Sequence, residues 1–156
     1  MAQIALIQGG TGGLGTSFVE QLLNSNRFDR ILVTSRRLSQ IEISDARIYP
    51  IELDLRSDVS IAEAQMLCRE LTDRIHLMIS TAGILKTDMI SPEKKLSDLS
   101  RNALESVFSV NCFGPFLFLS GLMSLFRHRD PLVIATLSAR VGSISDNGLG
   151  GWHSYR

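Results

Sequence analysis

Short apolar runs alternate along the chain with longer segments in which apolar residues recur every three or four positions. The short runs predict five strands, at residues 3–8, 30–34, 47–53, 75–80 and 131–138. The longer segments predict three helices, at residues 13–25, 57–72 and 96–127. Ser57 and Asp58 suit the start of the second helix, and a basic run suits the end of the third. Apolar strands that alternate with helices predict an α/β fold: a Rossmann-type, doubly wound parallel sheet covered on both faces.

The composition is typical of an ordinary globular domain. The chain has 156 residues, 44% of them hydrophobic, and 16 basic residues balance 16 acidic ones. This balance gives no reason to expect a nucleic acid or an anionic membrane as a partner. The apolar runs are interrupted by polar residues and fall short of a membrane span, and no signal peptide is visible. We therefore expect one domain, residues 1–156, in a soluble cytoplasmic protein.

The cysteines and histidines show no metal-binding pattern. Cys68 and Cys112 are far apart and in no metal or redox spacing. We expect both to be reduced core residues, and we expect no metal site. His76 stands at the start of a predicted strand, where a structural role is expected.

A glycine-rich turn, Q-G-G-T-G-G-L-G at residues 8–15, follows the first predicted strand and precedes the first helix. In such a turn, glycines let backbone N–H groups approach a pyrophosphate, with the positive end of a helix behind it. The alternative is a loop that merely needs positive φ angles. Because a strand and a helix flank the motif as a dinucleotide site requires, the turn favours nucleotide binding.

The end of the second predicted strand bears on which dinucleotide would bind. An NAD site places Asp or Glu there, about 20 residues beyond the glycines, to hold the ribose 2′-OH. This chain has Ser35 followed by Arg36 and Arg37. Two cations and no acid favour the 2′-phosphate of NADP, with Arg36 as its expected contact. A solvated arginine pair is the alternative.

Together these motifs resemble the short-chain dehydrogenase/reductase family. Gly9, Gly13 and Gly15 match its T-G-x-x-x-G-x-G turn, with Gln8 in place of the usual Thr. The sequence L-D-L at residues 53–55 resembles the adenine contact, and S-T-A-G at residues 80–83 stands where the family has N-N-A-G. The sequence of the second half is most similar to the carbonyl-reductase branch that includes sniffer and the bacterial C-factor proteins.

The resemblance implies NADP(H) as the cofactor and a small-molecule carbonyl or alcohol as the substrate. In the family, the Asp of the L-D-L motif meets the amine of the adenine base. The implied cofactor-binding residues are Gly9, Thr11, Gly13, Leu14, Gly15, Ser35, Arg36, Asp54, Leu55, Ala82 and Gly83.

The resemblance also implies the catalytic residues. Tyr155 stands where the family's Y-x-x-x-K motif begins, and the family's Tyr is the general acid that protonates the carbonyl oxygen. A tyrosine pKa is ordinarily about 10, and in the family a nearby Lys and the oxidised cofactor lower it. Asn111 matches the Asn that organises a proton relay through water. Ser138 would orient the substrate oxygen; Ser143 is the alternative, because the usual Ser-Ser is replaced at residues 138–139 by Ser-Ala.

The chain ends at Arg156, before the Lys of that motif and the family's last two strands. We expect these residues to be part of a longer polypeptide, an NADPH-dependent reductase that forms a homo-oligomer at full length. Without the remaining strands, the fifth strand would be an exposed apolar edge. The alternatives are a true half-domain and a catalytically impaired NADP(H)-binding sensor or signalling protein.

Overall fold

Five parallel strands form one sheet in the computed structural model, which describes residues 2–156. The strands are β1 (Ile4–Gln8), β2 (Arg30–Ser35), β3 (Ile48–Glu52), β4 (Leu77–Ser80) and β5 (Val133–Thr136). Their order in the sheet is β3-β2-β1-β4-β5. The chain therefore winds outward from β1 in both directions, and the strand order reverses between β1 and β4. The expected doubly wound parallel sheet is confirmed, and in such sheets ligands bind at the carboxyl ends of the strands beside this reversal.

Helices cover both faces of the sheet. They are α1 (Gly13–Ser25), α2 (Asp58–Leu71), α3 (Arg101–Phe108) and α4 (Gly114–Gly121). Alternate residues of each strand point to opposite faces. Ala5 and Ile7 of β1 pack with the α1 side, whereas Ile4 and Leu6 pack with α2 and α4. Ser57 caps α2 as predicted, because its side chain accepts a hydrogen bond from the N–H of Ser60 at 3.2 Å.

The long helix predicted over residues 96–127 is confirmed in its central part, Arg101–Gly121, and is wrong at both ends. The segment contains a 3₁₀ turn (Leu96–Asp98), then α3, a π-helical turn (Ser109–Phe113) and α4 in continuous succession, and a second 3₁₀ turn (Met123–Phe126). Ser100 starts α3 by accepting a hydrogen bond from the N–H of Ala103. In the π-turn the N–H of Gly114 donates to the carbonyl of Ser109. Because Pro115 has no N–H to donate, the regular ladder is interrupted at this point.

The continuous helical stretch Arg101–Gly121 is, by length and composition alone, long and apolar enough to cross a membrane. The sequence analysis found no run of that length. One side of the stretch packs on the sheet: Phe118 is fully buried, and a Cβ at Gly114 would lie 2.3 Å from the carbonyl oxygen of Leu55. The other side carries exposed phenylalanines, such as Phe113 and Phe116.

Strand β5 has no buried residue, whereas each of the other four strands has at least one. In the part of the chain that the structure describes, it pairs only with β4. Val133 is 56% exposed and Ile134 42%, which agrees with the exposed apolar edge expected from the sequence.

The two cysteines differ in burial. Cys68 is buried, and burial raises the pKa of its thiol to about 12. Cys112 is only half-buried, so the expectation that it is a core residue is wrong.

Candidate functional site

A cleft of about 300 Å³ opens at the carboxyl ends of the strands, above the reversal between β1 and β4. Most of the predicted cofactor residues line it, namely Gly9, Thr11, Ser35, Arg36, Asp54, Leu55, Ala82 and Gly83. These residues come from the ends of β1, β2, β3 and β4, which the parallel sheet brings to one edge. Gly13, Leu14 and Gly15 lie beside the cleft, in the first turn of α1.

The glycines of the turn are required by close packing. Gly9 has a φ of +84°, and a Cβ there would lie 2.8 Å from the backbone nitrogen of Ala82. A Cβ at Gly15 would lie 2.2 Å from the carbonyl oxygen of Gly9. Gly10, which the sequence analysis did not single out, would place a Cβ 2.2 Å from Val33 Cγ1. The turn therefore keeps the first turn of α1 pressed against the strand ends.

The amino end of α1 suits an anion. Its N-cap is Gly12, which has no side chain, and no acidic residue occupies the first turn. No side chain among residues 2–156 caps the first-turn amides, and Leu14 is exposed. Free N–H groups together with the positive end of the helix dipole are features that favour an anion beside the cleft.

The end of β2 presents a cation toward the cleft. Thr11 Oγ1 lies 3.1 Å from Ser35 Oγ, which also accepts a hydrogen bond from the N–H of Arg37. The Arg36 side chain is exposed and makes no hydrogen bond or ion pair with any residue that the structure describes. This guanidinium is therefore available to a ligand in the cleft.

Asp54, predicted to meet the adenine base, is held by its neighbour. Its carboxylate accepts hydrogen bonds from the N–H, Nε and Nη2 of Arg56, at 3.0, 3.0 and 2.6 Å. These bonds from Arg56 hold the pKa of Asp54 below its usual value, and the charge of Arg36 contributes. A carboxylate has about four acceptor positions, so Asp54 can accept one further bond from a ligand.

Two departures from the family motif contact each other beneath the cleft. Gln8 and Ser80 are register partners on β1 and β4, and Ser80 Oγ donates a hydrogen bond to Gln8 Oε1. Gln8 is fully buried, and its Nε2 has no hydrogen-bond partner among the described residues. The long side chain at position 8 therefore reaches the short one at position 80. The parallel register of β1 and β4 would have been sufficient to predict that Gln8 and Ser80 are neighbours.

Asn111 lies in the π-turn and binds the loop that follows β4. Its Oδ1 accepts a hydrogen bond from the N–H of Ile84 at 2.7 Å, and its Nδ2 donates to the carbonyl of Ile84 at 2.8 Å. Both backbone groups of Ile84 are thus paired with one side chain. This contact holds the Ala82–Gly83 wall of the cleft against the helix.

The remaining predicted catalytic residues lie on the segment after β5. Ser138 is exposed and its hydroxyl makes no hydrogen bond in the described part of the chain. Ser143 Oγ contacts Ser145 Oγ and accepts a bond from the N–H of Asp146, which is a turn contact. Tyr155 is half-buried, and no hydrogen bond within residues 2–156 links its side chain to Asn111 or Ser138. The structure thus leaves the hydroxyl of Ser138 available and engages that of Ser143.

Several residues at the site were not predicted from the sequence. Thr34 Oγ1 accepts a hydrogen bond from the N–H of Gly9, and Thr81 Oγ1 donates to the carbonyls of Gln8 and Gly9. Both stand at strand ends, so the strand pattern could have indicated them. Gln40 also lines the cleft, but it is the last residue of a 3₁₀ turn (Leu38–Gln40) that the sequence did not predict.

A second polar cluster, consisting of His76, His128 and Asp130, lies at the opposite end of β4. His76 Nδ1 accepts a hydrogen bond from the N–H of Ile4 at 3.1 Å, so a neutral His76 carries its proton on Nε2. That nitrogen faces Asp130 at 3.6 Å, and Asp130 also pairs with Arg74 at 3.2 Å. A protonated nitrogen and a nearby guanidinium both disfavour a bound cation, so these bonds favour a structural role for His76.

Comparisons with known proteins agree with the fold and the motifs. The family model described as short chain dehydrogenase matches residues 3–155. The uncharacterized oxidoreductase TDA5 of Saccharomyces cerevisiae is 26% identical over 120 residues, 76% of this chain and 35% of that protein. Oxidoreductase BOA17 of Botryotinia fuckeliana is 23% identical over 159 residues, 99% of this chain and 55% of that protein. The chain therefore spans about a third to just over half of the length of these two relatives.

Solved structures give the same result at the level of fold. Sniffer of Caenorhabditis elegans has a TM-score of 0.87 at 22% identity, covering 100% of this chain and 73% of that one. An NADPH-bound carbonyl reductase from chicken fatty liver has a TM-score of 0.85 at 21% identity, covering 99% of this chain and 65% of that one. With the family match extending over nearly its whole length, this chain belongs to the short-chain dehydrogenase family.

Proposed function

We propose that the protein is an NADP(H)-dependent oxidoreductase that transfers hydride between NADPH and a carbonyl or alcohol substrate. Family membership supports the oxidoreductase class. The anion-binding turn and the cleft between β1 and β4 fit a dinucleotide, with the diphosphate at the amino end of α1. The NADPH bound by the chicken carbonyl reductase is in keeping with this choice of cofactor.

The observation that carries the proposal is Arg36. It lines the cleft at the end of β2, where an NAD site needs a carboxylate, and its guanidinium makes no hydrogen bond or ion pair with the described residues. A 2′-phosphate would accept charge-assisted hydrogen bonds from it. The hydroxyls of Ser35 and Thr11 lie next to it and would accept or donate further bonds.

The residues proposed for the chemistry have separate tasks. When bound, the cofactor supplies or accepts the hydride. Tyr155 transfers the proton to or from the substrate oxygen, and Ser138 donates a hydrogen bond that orients this oxygen. Asn111 fixes the loop after β4, which forms the wall of the cleft, through its two bonds to Ile84. A tyrosine must have a pKa below its ordinary value of about 10 to exchange protons efficiently at neutral pH.

The experiment compares Arg36→Ala with Arg37→Ala as a matched control, by titrating NADPH and NADH calorimetrically. Loss of a charge-assisted contact worth about 1.5–3 kcal/mol should weaken NADPH binding by roughly 10- to 100-fold. NADH binding should not change, and Arg37→Ala should behave like the wild type. An equal loss for both cofactors, or no loss for either, would contradict the assignment.

A second candidate, an NADP(H)-binding sensor without turnover, is favoured by one observation. The nucleotide cleft is assembled, whereas Asn111, Ser138 and Tyr155 share no hydrogen bond in the region described. Turnover of NADPH with a panel of aldehydes and ketones distinguishes the two. Turnover that Tyr155→Phe abolishes supports the enzyme, whereas tight NADPH binding without turnover supports the sensor.

A further inference from the structure

Glu93 lies outside the nucleotide cleft, in the loop after β4, yet it contacts the segment that carries Tyr155. We call residues 150–156 the tyrosine turn. The carbonyl of Glu93 accepts a hydrogen bond from the N–H of Trp152 at 2.6 Å. Its carboxylate oxygen Oε2 accepts another from the N–H of Ser154 at 3.3 Å. One residue of a distant loop therefore holds the backbone on the amino side of Tyr155.

The tyrosine turn has a second anchor on the other side of Tyr155. The guanidinium of Arg156 donates to the carbonyls of Gly151 at 2.7 Å, Val141 at 2.5 Å and Gly150 at 3.1 Å. Gly151 has a φ of +71°, and a Cβ there would lie 3.0 Å from the carbonyl oxygen of Glu93. This close approach lets the turn press against the Glu93 loop.

The charge of Glu93 is unusual for its surroundings. Glu93 is 3% exposed, and Oε1 has no hydrogen-bond partner among the described residues. Burial raises the pKa of Glu93, but hydrogen bonds from Ser154 and the charge of His153 outweigh burial, so the pKa is lowered overall. An ionised carboxylate is costly to bury unless it is bonded. Besides the backbone of Glu93 itself, its bonding partner is Ser154 of the tyrosine turn, so the carboxylate and the turn stabilise each other.

We propose that Glu93 is a positioning residue for Tyr155: its carboxylate holds the tyrosine turn against the loop after β4 and thereby fixes the phenol relative to the cleft. The catalytic part of this inference rests on the proposed function. The same loop carries Ile84, which Asn111 holds at its other end. The loop therefore connects the wall of the nucleotide cleft to the turn that bears the proposed proton donor.

Trp152 allows the turn to be observed directly, because it is the only tryptophan of the chain. Its ring packs edge-on against Tyr155, with 6.3 Å between ring centroids. The experiment measures the fluorescence anisotropy of Trp152 in Glu93→Ala, in Glu93→Gln and in Glu105→Ala. The Glu105 side chain is exposed, and among residues 2–156 it pairs only with Arg101, so its variant is the matched control.

We expect Glu93→Ala to lower the anisotropy of Trp152 by freeing the turn, and Glu93→Gln to restore most of it, since an amide oxygen still accepts the Ser154 N–H. NADPH affinity should be unchanged in every variant, because Glu93 does not line the cleft. In the turnover assay, kcat of Glu93→Ala should fall by about 10- to 100-fold at unchanged KM for NADPH, since small misplacements are costly. If Glu93→Ala does not fold, Glu93→Asp, which retracts the carboxylate by one methylene, should show the same loss of anisotropy.

Wild-type anisotropy in both Glu93→Ala and Glu93→Asp would overturn the proposal. So would a loss of NADPH affinity equal to the loss in kcat, since that would indicate a general structural role. If the wild type shows no turnover, the proposed function fails, while the anisotropy still shows whether Glu93 holds the turn.

Discussion

Introducing the family residues at positions 8 and 80 together, as Gln8→Thr with Ser80→Asn, should destabilise the protein by less than the sum of the two single substitutions. Gln8 is fully buried, Ser80 is 4% exposed, and the two are bonded across β1 and β4. Gln8→Thr leaves two short side chains that cannot meet, so buried hydroxyls lose their partner at about 1–3 kcal/mol. Ser80→Asn adds atoms to a filled site, which costs about 1–3 kcal/mol by overpacking.

The double variant again pairs one long and one short side chain, and it has the same number of non-hydrogen side-chain atoms as the wild type. We therefore expect it to be more stable than the sum of the single variants by about 1–3 kcal/mol. Urea unfolding of all four proteins measures this coupling. With an m value of about 2 kcal/mol/M, a change of about 2 kcal/mol moves the midpoint by about 1 M.

The control combines Gln8→Thr with Ser25→Ala, an exposed position at the end of α1. Distant sites should be additive to within about 0.5 kcal/mol. If Gln8→Thr and Ser80→Asn are additive to the same degree, the side chains at these positions do not depend on each other, and our account of the two motif departures is wrong.

Two further predictions concern the glycine turn and acid stability. Gly15→Ala should lower the free energy of unfolding by about 1–3 kcal/mol and abolish NADPH binding, because the new Cβ would clash with the carbonyl of Gly9. Gly13→Ala is the control, because a Cβ at Gly13 would have no atom within 4 Å. It should leave the melting temperature of the unliganded protein unchanged or raised. Hydrogen bonds from Arg47 lower the pKa of Asp45 from 3.8 to about 2, so its stabilising contribution is complete above pH 3.8 and is lost as the pH falls toward 2. The urea midpoint of Asp45→Asn should therefore fall less between pH 4 and pH 2 than the midpoint of the wild type. An equal fall in the two proteins would refute this.

The sheet and the residues that line the cleft could be predicted because their signals are local. A buried parallel strand is a short apolar run, and the glycine turn follows it directly in the sequence. Arg36 and Asp54 could be located for the same reason, since each follows a strand whose carboxyl end lies at the shared edge. The described structure brings these residues to one cleft.

The rest depends on contacts between distant segments. The π-turn around Asn111 interrupts a helix whose apolar pattern continues without a break, because Pro115 and the packing of Gly114 on Leu55 decide the backbone. The bond from Ser154 to Glu93 joins residues 61 positions apart. Such a pairing leaves no periodic pattern in the sequence, so this contact could not be predicted from the sequence alone.

The order in which the site's parts occur along the chain has a consequence for synthesis. Every residue that lines the nucleotide cleft lies between Gln8 and Val110, whereas Ser138 and Tyr155 come later. A ribosome releases the chain from its amino end. The residues that line the cleft therefore emerge before Ser138 and Tyr155, so the proposed cofactor site is synthesised before the residues proposed for proton transfer.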